Sequence, residues 1–252
     1  MRRKLAGLLA ILILVWALPA LGEEAPTFDT LEAAGDFLRQ QADQGAAEAT
    51  FRVIGRDGSD LDNEAQRIRE MAGVYSVSTY VSGDQITAKL TCYPGSRIYH
   101  AAVTGDAGGL DAEEYQAMGI ARQAAQEARA AGGDDGYLVA KYIHDWLCAH
   151  VNYTAMPEER PEMPRVCGAV GALVDGEANC QGYTDAFWLL GNLAGLEVRR
   201  QSGACSGEGH SWNALRLGDA WYIMDVTYDD KEDSEVWGYA YMNIGRDLAG
   251  AY

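Results

Sequence analysis

An unbroken apolar run, Leu5 to Leu18, stands between the basic Met1-Arg2-Arg3-Lys4 and Pro19-Ala20-Leu21-Gly22. After it the pattern becomes periodic. From Thr27 to Gly45, Phe28, Leu31, Phe37 and Leu38 share one side of a helix capped by Asp29 or Thr30 and stopped at Gly45. A short strand over Ala49 to Ile54, a turn over Gly55 to Ser59 and a second short helix over Leu61 to Met71 follow. Val74 to Val81 alternates apolar with small polar residues, the period of a half-buried strand, and Ser82-Gly83-Asp84-Gln85 turns the chain into a hairpin partner over Ile86 to Tyr93.

Helical patterning dominates the next stretch. An Ala-, Glu- and Gln-rich helix runs from Asp111 to Ala131, Gly132-Gly133 breaks it, and a second helix covers Asp135 to Val151. Met156 to Pro164 holds three of the six prolines and reads as an irregular loop. Helical period returns from Gln181 to Leu193, with Gly195 as its stop. His210 opens an alternating strand, Gly218-Asp219 makes a two-residue hairpin turn, and Trp221 to Thr227 returns. The pattern predicts an α+β chain with no internal repeat, divided into a small α/β accessory region over 23–105 and a second domain over 106–252.

Composition sharpens the reading of the first run. A basic start, 14 apolar residues and small residues at Ala20 and Gly22 describe a secretory signal peptide over 1–22, cleaved after Gly22. A spanning helix needs about 20 apolar residues. The mature chain is therefore expected to be secreted or extracytoplasmic, with no stable membrane insertion. The net charge of −17 moves to about −20 once the basic residues of 1–22 are removed. With Lys and Arg scattered, that balance disfavours nucleic acid and anionic lipid as partners and leaves cationic ones open. Nothing in the pattern specifies an oligomer.

Five cysteines in an exported chain leave an odd one, which points to a free reactive thiol or to pairing outside the chain. If Cys180 is the free thiol, Cys92, Cys148, Cys167 and Cys205 make two bridges in one of three connectivities, or none. Cys180 stands where a loop enters a helix, beside unpaired N–H groups and the positive end of the helix dipole, a setting that favours thiolate and offers donors to an oxyanion. A two-residue turn at Gly218-Asp219 would set Trp212 opposite Asp225 and His210 opposite Thr227. His210 and Asp225 then share one side of the hairpin as diagonal neighbours, about 7–8 Å apart at the backbone. A thiol needs a base, and the base needs a fixed tautomer, so Cys180, His210 and Asp225 are the candidate catalytic residues. Trp212, on the His210 side, and Gln181, next to the nucleophile, are candidate substrate-binding residues.

Other clusters carry less chemistry. His144 and Asp145 project about 100° apart on a helix, so no mutual dyad is expected. No Cys-x-x-Cys or His-x-x-x-His spacing is present, and Asp229, Asp230, Asp233 and Glu235 lack the order of a calcium loop, so no metal or other cofactor is expected.

Cys180-Gln181-Gly182-Tyr183, His210-Ser211-Trp212-Asn213 and Trp221 to Thr227 resemble, in order and spacing, the three catalytic motifs of the bacterial transglutaminase-like superfamily. Ile143 to Leu147 and Asn152-Tyr153 resemble the helix and turn that precede the cysteine in many members, so the likeness covers about residues 136–245. His-Ser-Trp replaces the frequent His-Ala-Trp, and Asp-Val-Thr the frequent Asp-Pro-Thr; neither change touches a reacting group. The resemblance implies a papain-like fold in which the Cys180 helix packs on an antiparallel sheet carrying His210 and Asp225. It also implies a protein or peptide substrate, thiolate attack on its amide carbonyl, an acyl-thioester, and transfer to an amine or to water. Because the family includes inactive members, a non-catalytic cell-surface binding module that retains the fold is the alternative.

Overall fold

The computed structural model describes residues 25–55, 65–159, 161, 163–205, 207–230 and 238–245. The apolar run Leu5 to Leu18 with the expected cleavage after Gly22, the turn beyond Gly55, and Asp233 and Glu235 lie outside the described residues, as does the side chain of Cys205.

The first part is a four-stranded sheet covered by helices. Strand β1 (Thr27–Phe28) pairs in parallel with β2 (Glu48–Val53), which continues through β4 (Gln85–Thr91) to β3 (Ser76–Ser82), in the order β1-β2-β4-β3. Helix α1 (Leu31–Asp43) begins later than the pattern from Thr27 predicts, because Thr30 is the cap: its hydroxyl accepts the Ala33 N–H at 3.2 Å. With α2 (Ala65–Ala72) it closes an apolar core around Leu38, Phe51, Ile68 and Ile86. The predicted hairpin is present, with Ser82 opposite Gln85.

Helix α3 (Pro94–Thr104) was not legible in the pattern. Proline at its start is pre-set for a first helical turn, but only Ile98 and Ala101 mark its apolar side. Both belong to the second core, although they precede the boundary expected at 105. That core is built by α4 (Ala112–Gly132), α5 (Gly136–His150) and α6 (Cys180–Leu193) against an antiparallel sheet in the order β10-β9-β8-β7. Its strands are β7 (Glu197–Cys205), β8 (Glu208–Leu217), β9 (Ala220–Met224) and β10 (Met242–Gly245). Residues 183–190 of α6 are all buried, as expected of a helix surrounded on every side. Between α5 and α6 the chain makes a parallel pair of two-residue strands, β5 (Asn152–Tyr153) and β6 (Glu177–Ala178), with a 3₁₀ turn (Arg165–Cys167) and a π-helical turn (Gly171–Asp175) in between. The architecture is α+β.

A buried ion pair fixes α6 in this frame. Arg200 of β7 donates from Nε and Nη2 to Asp185 Oδ1 at 3.0 and 2.6 Å. The other oxygen accepts the N–H groups of Gly95 (3.0 Å) and Ala169 (2.8 Å). The guanidinium lies 3.6 Å over the Trp188 ring. Removing one side of such a pair strands a charge and two N–H donors in the interior. Asp185→Ala is therefore expected to lower the unfolding free energy in urea by about 3–5 kcal/mol, whereas Arg216→Ala, at the exposed pair with Glu197, is expected to change it by under about 1 kcal/mol.

Candidate active site

Cys180 is the first residue of α6. Asn179 caps the helix, its Oδ1 accepting the N–H of Gln181 at 3.0 Å and of Gly182 at 3.2 Å, and this leaves the Cys180 N–H outside the cap. Asn179 also donates from Nδ2 to Cys167 Sγ at 3.1 Å. The residue after Gln181 is glycine for lack of space: a Cβ on Gly182 would collide with the Val166 carbonyl oxygen. Helix start and preceding turn thus pack backbone to backbone.

His210 sits near the start of β8, and β8 and β9 have the register of a two-residue turn, from Leu217 opposite Ala220 to Asn213 opposite Met224. Gly218 has the left-handed φ of 61° the turn requires. Pairing stops there, so the expected Trp212–Asp225 and His210–Thr227 pairs do not form. The physical reason is a change of partner: the Asp225 N–H is accepted by the Tyr241 carbonyl at 3.0 Å, and the chain turns into α7 (Val226–Asp229), capped by the Asp225 Oδ1. Side-chain parity survives that departure, and His210 Nε2 lies 2.6 Å from Asp225 Oδ2.

The imidazole therefore spends one nitrogen on a carboxylate that is 1% exposed. Cys180 is the second group acting on the ring, through hydrogen bonding and charge, and Nδ1 is the nitrogen that the Asp225 contact leaves for it. Burial is the largest influence on His210 and acts against its charged form. The hydrogen bonds and negative charges of Asp225 and Cys180 together outweigh it, and the pKa is pushed up to about 10. Two rings hold the imidazole in place. Tyr228 stacks on it at 4.4 Å with an 11° interplanar angle, and Trp212 flanks it at 5.9 Å and 27°. A protonated imidazole between such faces gains cation–π attraction.

Burial pushes the other described thiols up: Cys92 to about 11, Cys148 further, and Cys167 as well, the last with an added push from Cys180 nearby and an opposing hydrogen bond from Asn179. All four described cysteines are free thiols. Of the two expected substrate contacts, Trp212 lies beside His210. Gln181 turns to the interior edge of α6, donating from Nε2 to the Tyr93 hydroxyl at 3.2 Å. Asn179 and Tyr228 are the site residues sequence reasoning missed. The first was findable as an Asn directly before a helix; the second carries no signal outside the fold. Among the described residues, no group of three metal-ligating side chains is gathered, and no helix is long and apolar enough to cross a membrane.

A second buried histidine differs from expectation. His144 Nδ1 lies 3.0 Å from Asp145 Oδ1 despite the divergent directions of neighbouring helical residues. Lys141, one turn earlier, holds the other Asp145 oxygen at 2.5 Å, drawing the carboxylate back along the helix to where the His144 ring also leans. His144 Nε2 lies 3.3 Å from Asp229 Oδ2.

The sequence model of the transglutaminase-like superfamily core matches residues 122–226, which include Cys180, His210 and Asp225. Human kyphoscoliosis peptidase is 25% identical over 95 residues, covering 33% of this chain and 14% of that protein. A solved TGase structure is similar at a TM-score of 0.42 and 13% identity, over 86% of this chain and 62% of that one. The periplasmic domain of TgpA from Pseudomonas aeruginosa, solved with ethylmercury bound, is similar at 0.34 and 20%, over 57% and 55%. Residues 122–226 of the chain are thus similar to the core of the transglutaminase-like superfamily.

Proposed function

We propose that this chain is an exported cysteine enzyme that attacks amide carbonyls of proteins or peptides with Cys180, using His210 as acid and base and Asp225 to orient it. The observation that carries the reading is the 2.6 Å contact of His210 Nε2 with the buried Asp225 carboxylate, with Cys180, at a helix N-terminus, near enough to act on the same ring. Export rests on the basic start and apolar run before Gly22. The matched human protein is named a peptidase, in keeping with amide chemistry.

The chemistry follows from the charge arrangement. The raised pKa keeps a proton on His210 at neutral pH, ready for a leaving amine, while the Cys180 sulfur acts as nucleophile. The thiolate adds to the amide carbon, and the carbonyl oxygen takes the negative charge, within reach of the uncapped Cys180 N–H and the positive end of the helix. His210 Nδ1–H then protonates the departing amine, the C–N bond breaks, and an acyl-thioester on Cys180 remains. The now neutral imidazole accepts a proton from water or a primary amine as that nucleophile attacks the thioester, and the thiolate departs. Asp225 keeps Nε2–H as a donor throughout, which leaves Nδ1 facing the sulfur.

Near neutral pH, iodoacetamide is expected to label Cys180 at least tenfold faster than the unfolded chain's thiols, and faster than Cys92, Cys148 or Cys167, as mapped by peptide mass spectrometry; His210→Ala removes the advantage. Labelling of native Cys180 at the unfolded rate would refute the catalytic reading and leave the binding module. A glutamine-containing protein and a labelled primary amine divide the two outcomes: incorporated label means transfer, new termini mean hydrolysis.

The raised pKa also makes a stability prediction. Its contribution is full below the ordinary histidine value of 6.5 and is lost as pH rises toward about 10. Thermal melts of the protein and of His210→Gln should therefore show the protein losing more Tm than the variant across that window. Parallel curves would mean that the imidazolium is not held.

A further inference from the structure

The His144 cluster lies outside the reacting trio, yet it is tied to it by a short, continuous path. His144 is fully buried on α5 and meets Asp229, itself 1% exposed, at the end of α7. The Asp229 carboxylate accepts the Tyr241 N–H at 3.0 and 3.2 Å through its two oxygens, and the Asp229 carbonyl accepts the Gly238 N–H at 2.7 Å. Tyr241 returns the connection: its carbonyl accepts the Asp225 N–H, and its ring packs edge-on against Tyr228 at 5.2 Å. Asp225 and Tyr228 are the two groups that hold His210, by hydrogen bond and by stacking. On the other side of His144, Asp145 is held by Lys141, and Tyr239 covers the ring at 5.2 Å while its hydroxyl meets Lys141 Nζ at 2.8 Å.

We propose that the buried His144–Asp229 pair is a positioning device: it anchors the 225–229 turn and the 238–242 segment to helix α5, and so sets where Asp225 and Tyr228 meet His210. The pair spans 85 residues of sequence and joins two elements that share no strand ladder. Without it, Asp229 is a buried carboxylate that keeps only the Tyr241 N–H as donor, and the turn loses its polar link to α5. The consequence for turnover rests on the catalytic reading above. The consequence for His210 does not.

The test uses the full chain with two variants at one position. His144→Leu removes both ring contacts at similar volume, and His144→Gln keeps an amide donor able to reach Asp229. The readouts are the melting curve, the NMR titration of the His210 ring, assigned with His210→Ala, and the iodoacetamide rate at Cys180. With the fold retained, His144→Leu should shift the His210 titration toward that of a free histidine and slow alkylation roughly tenfold or more, while His144→Gln restores both to within about twofold. A folded His144→Leu protein whose His210 titration and alkylation match the unmodified chain would overturn the proposal. If His144→Leu does not fold, Asp229→Asn is read in its place; it keeps an oxygen for the Tyr241 N–H but alters the atom facing His144, and an unchanged His210 titration again overturns the proposal. Should Cys180 of the unmodified chain react no faster than an unfolded thiol, the catalytic reading fails, and the His210 titration of the variants alone decides the clamp.

Discussion

The seating of helix α6 depends on one buried carboxylate. Asp185 meets Arg200 of β7 with one oxygen and the N–H groups of Gly95 and Ala169 with the other, so a single side chain joins the sheet, the start of α3 and the turn before the π-helical residues. Arg200 extends the connection to the first part of the chain, its Nη1 lying 3.4 Å from Asp43 at the end of α1. Taking both charges out of water is costly, and the cost is offset because the carboxylate has donors at both oxygens and the guanidinium lies flat on Trp188. Cys180 opens the same helix, less than two turns earlier.

The candidate site is a second answer to the problem of burying charge. Asp225 is almost fully enclosed, and its oxygens are occupied by His210 and by the Tyr228 N–H of the turn it caps. Capping and orienting thus use one carboxylate. The imidazolium this favours is flanked by Tyr228 and Trp212, with Cys180 near enough to act on it. The remaining described thiols, raised by burial, are kept away from such partners. What separates the cysteines is their surroundings, since the five are chemically alike.

Much of the fold was legible because it is locally repetitive. Helices α4 and α5 carry polar caps, Asp111 and Asp135, ahead of long apolar periods, and both hairpins are announced by glycine-bearing turns. The elements that escaped have weak or contradictory local patterns. Strand β7 places Arg199 and Arg200 side by side, which breaks any alternation, and Arg200 is buried only because Asp185 waits for it. The π-helical turn has no distinctive pattern and exists to deliver the chain to β6. His144–Asp145 was misread because angular spacing on an ideal helix ignores how a neighbour such as Lys141 redirects a carboxylate.

By itself the sequence determined residue types, local periods and parity: a cysteine heading a helix, and a histidine and an aspartate on one side of a hairpin. Those follow from backbone geometry over a few residues, and they survive even where the ladder ends before His210. Only the tertiary structure decided that the helix and the hairpin meet with sulfur against imidazole, that Gln181 turns to Tyr93 while Tyr228 covers His210, and that His144 reaches Asp229. These contacts join residues tens of positions apart, and their geometry is set by the close packing of whole elements, which no local period encodes.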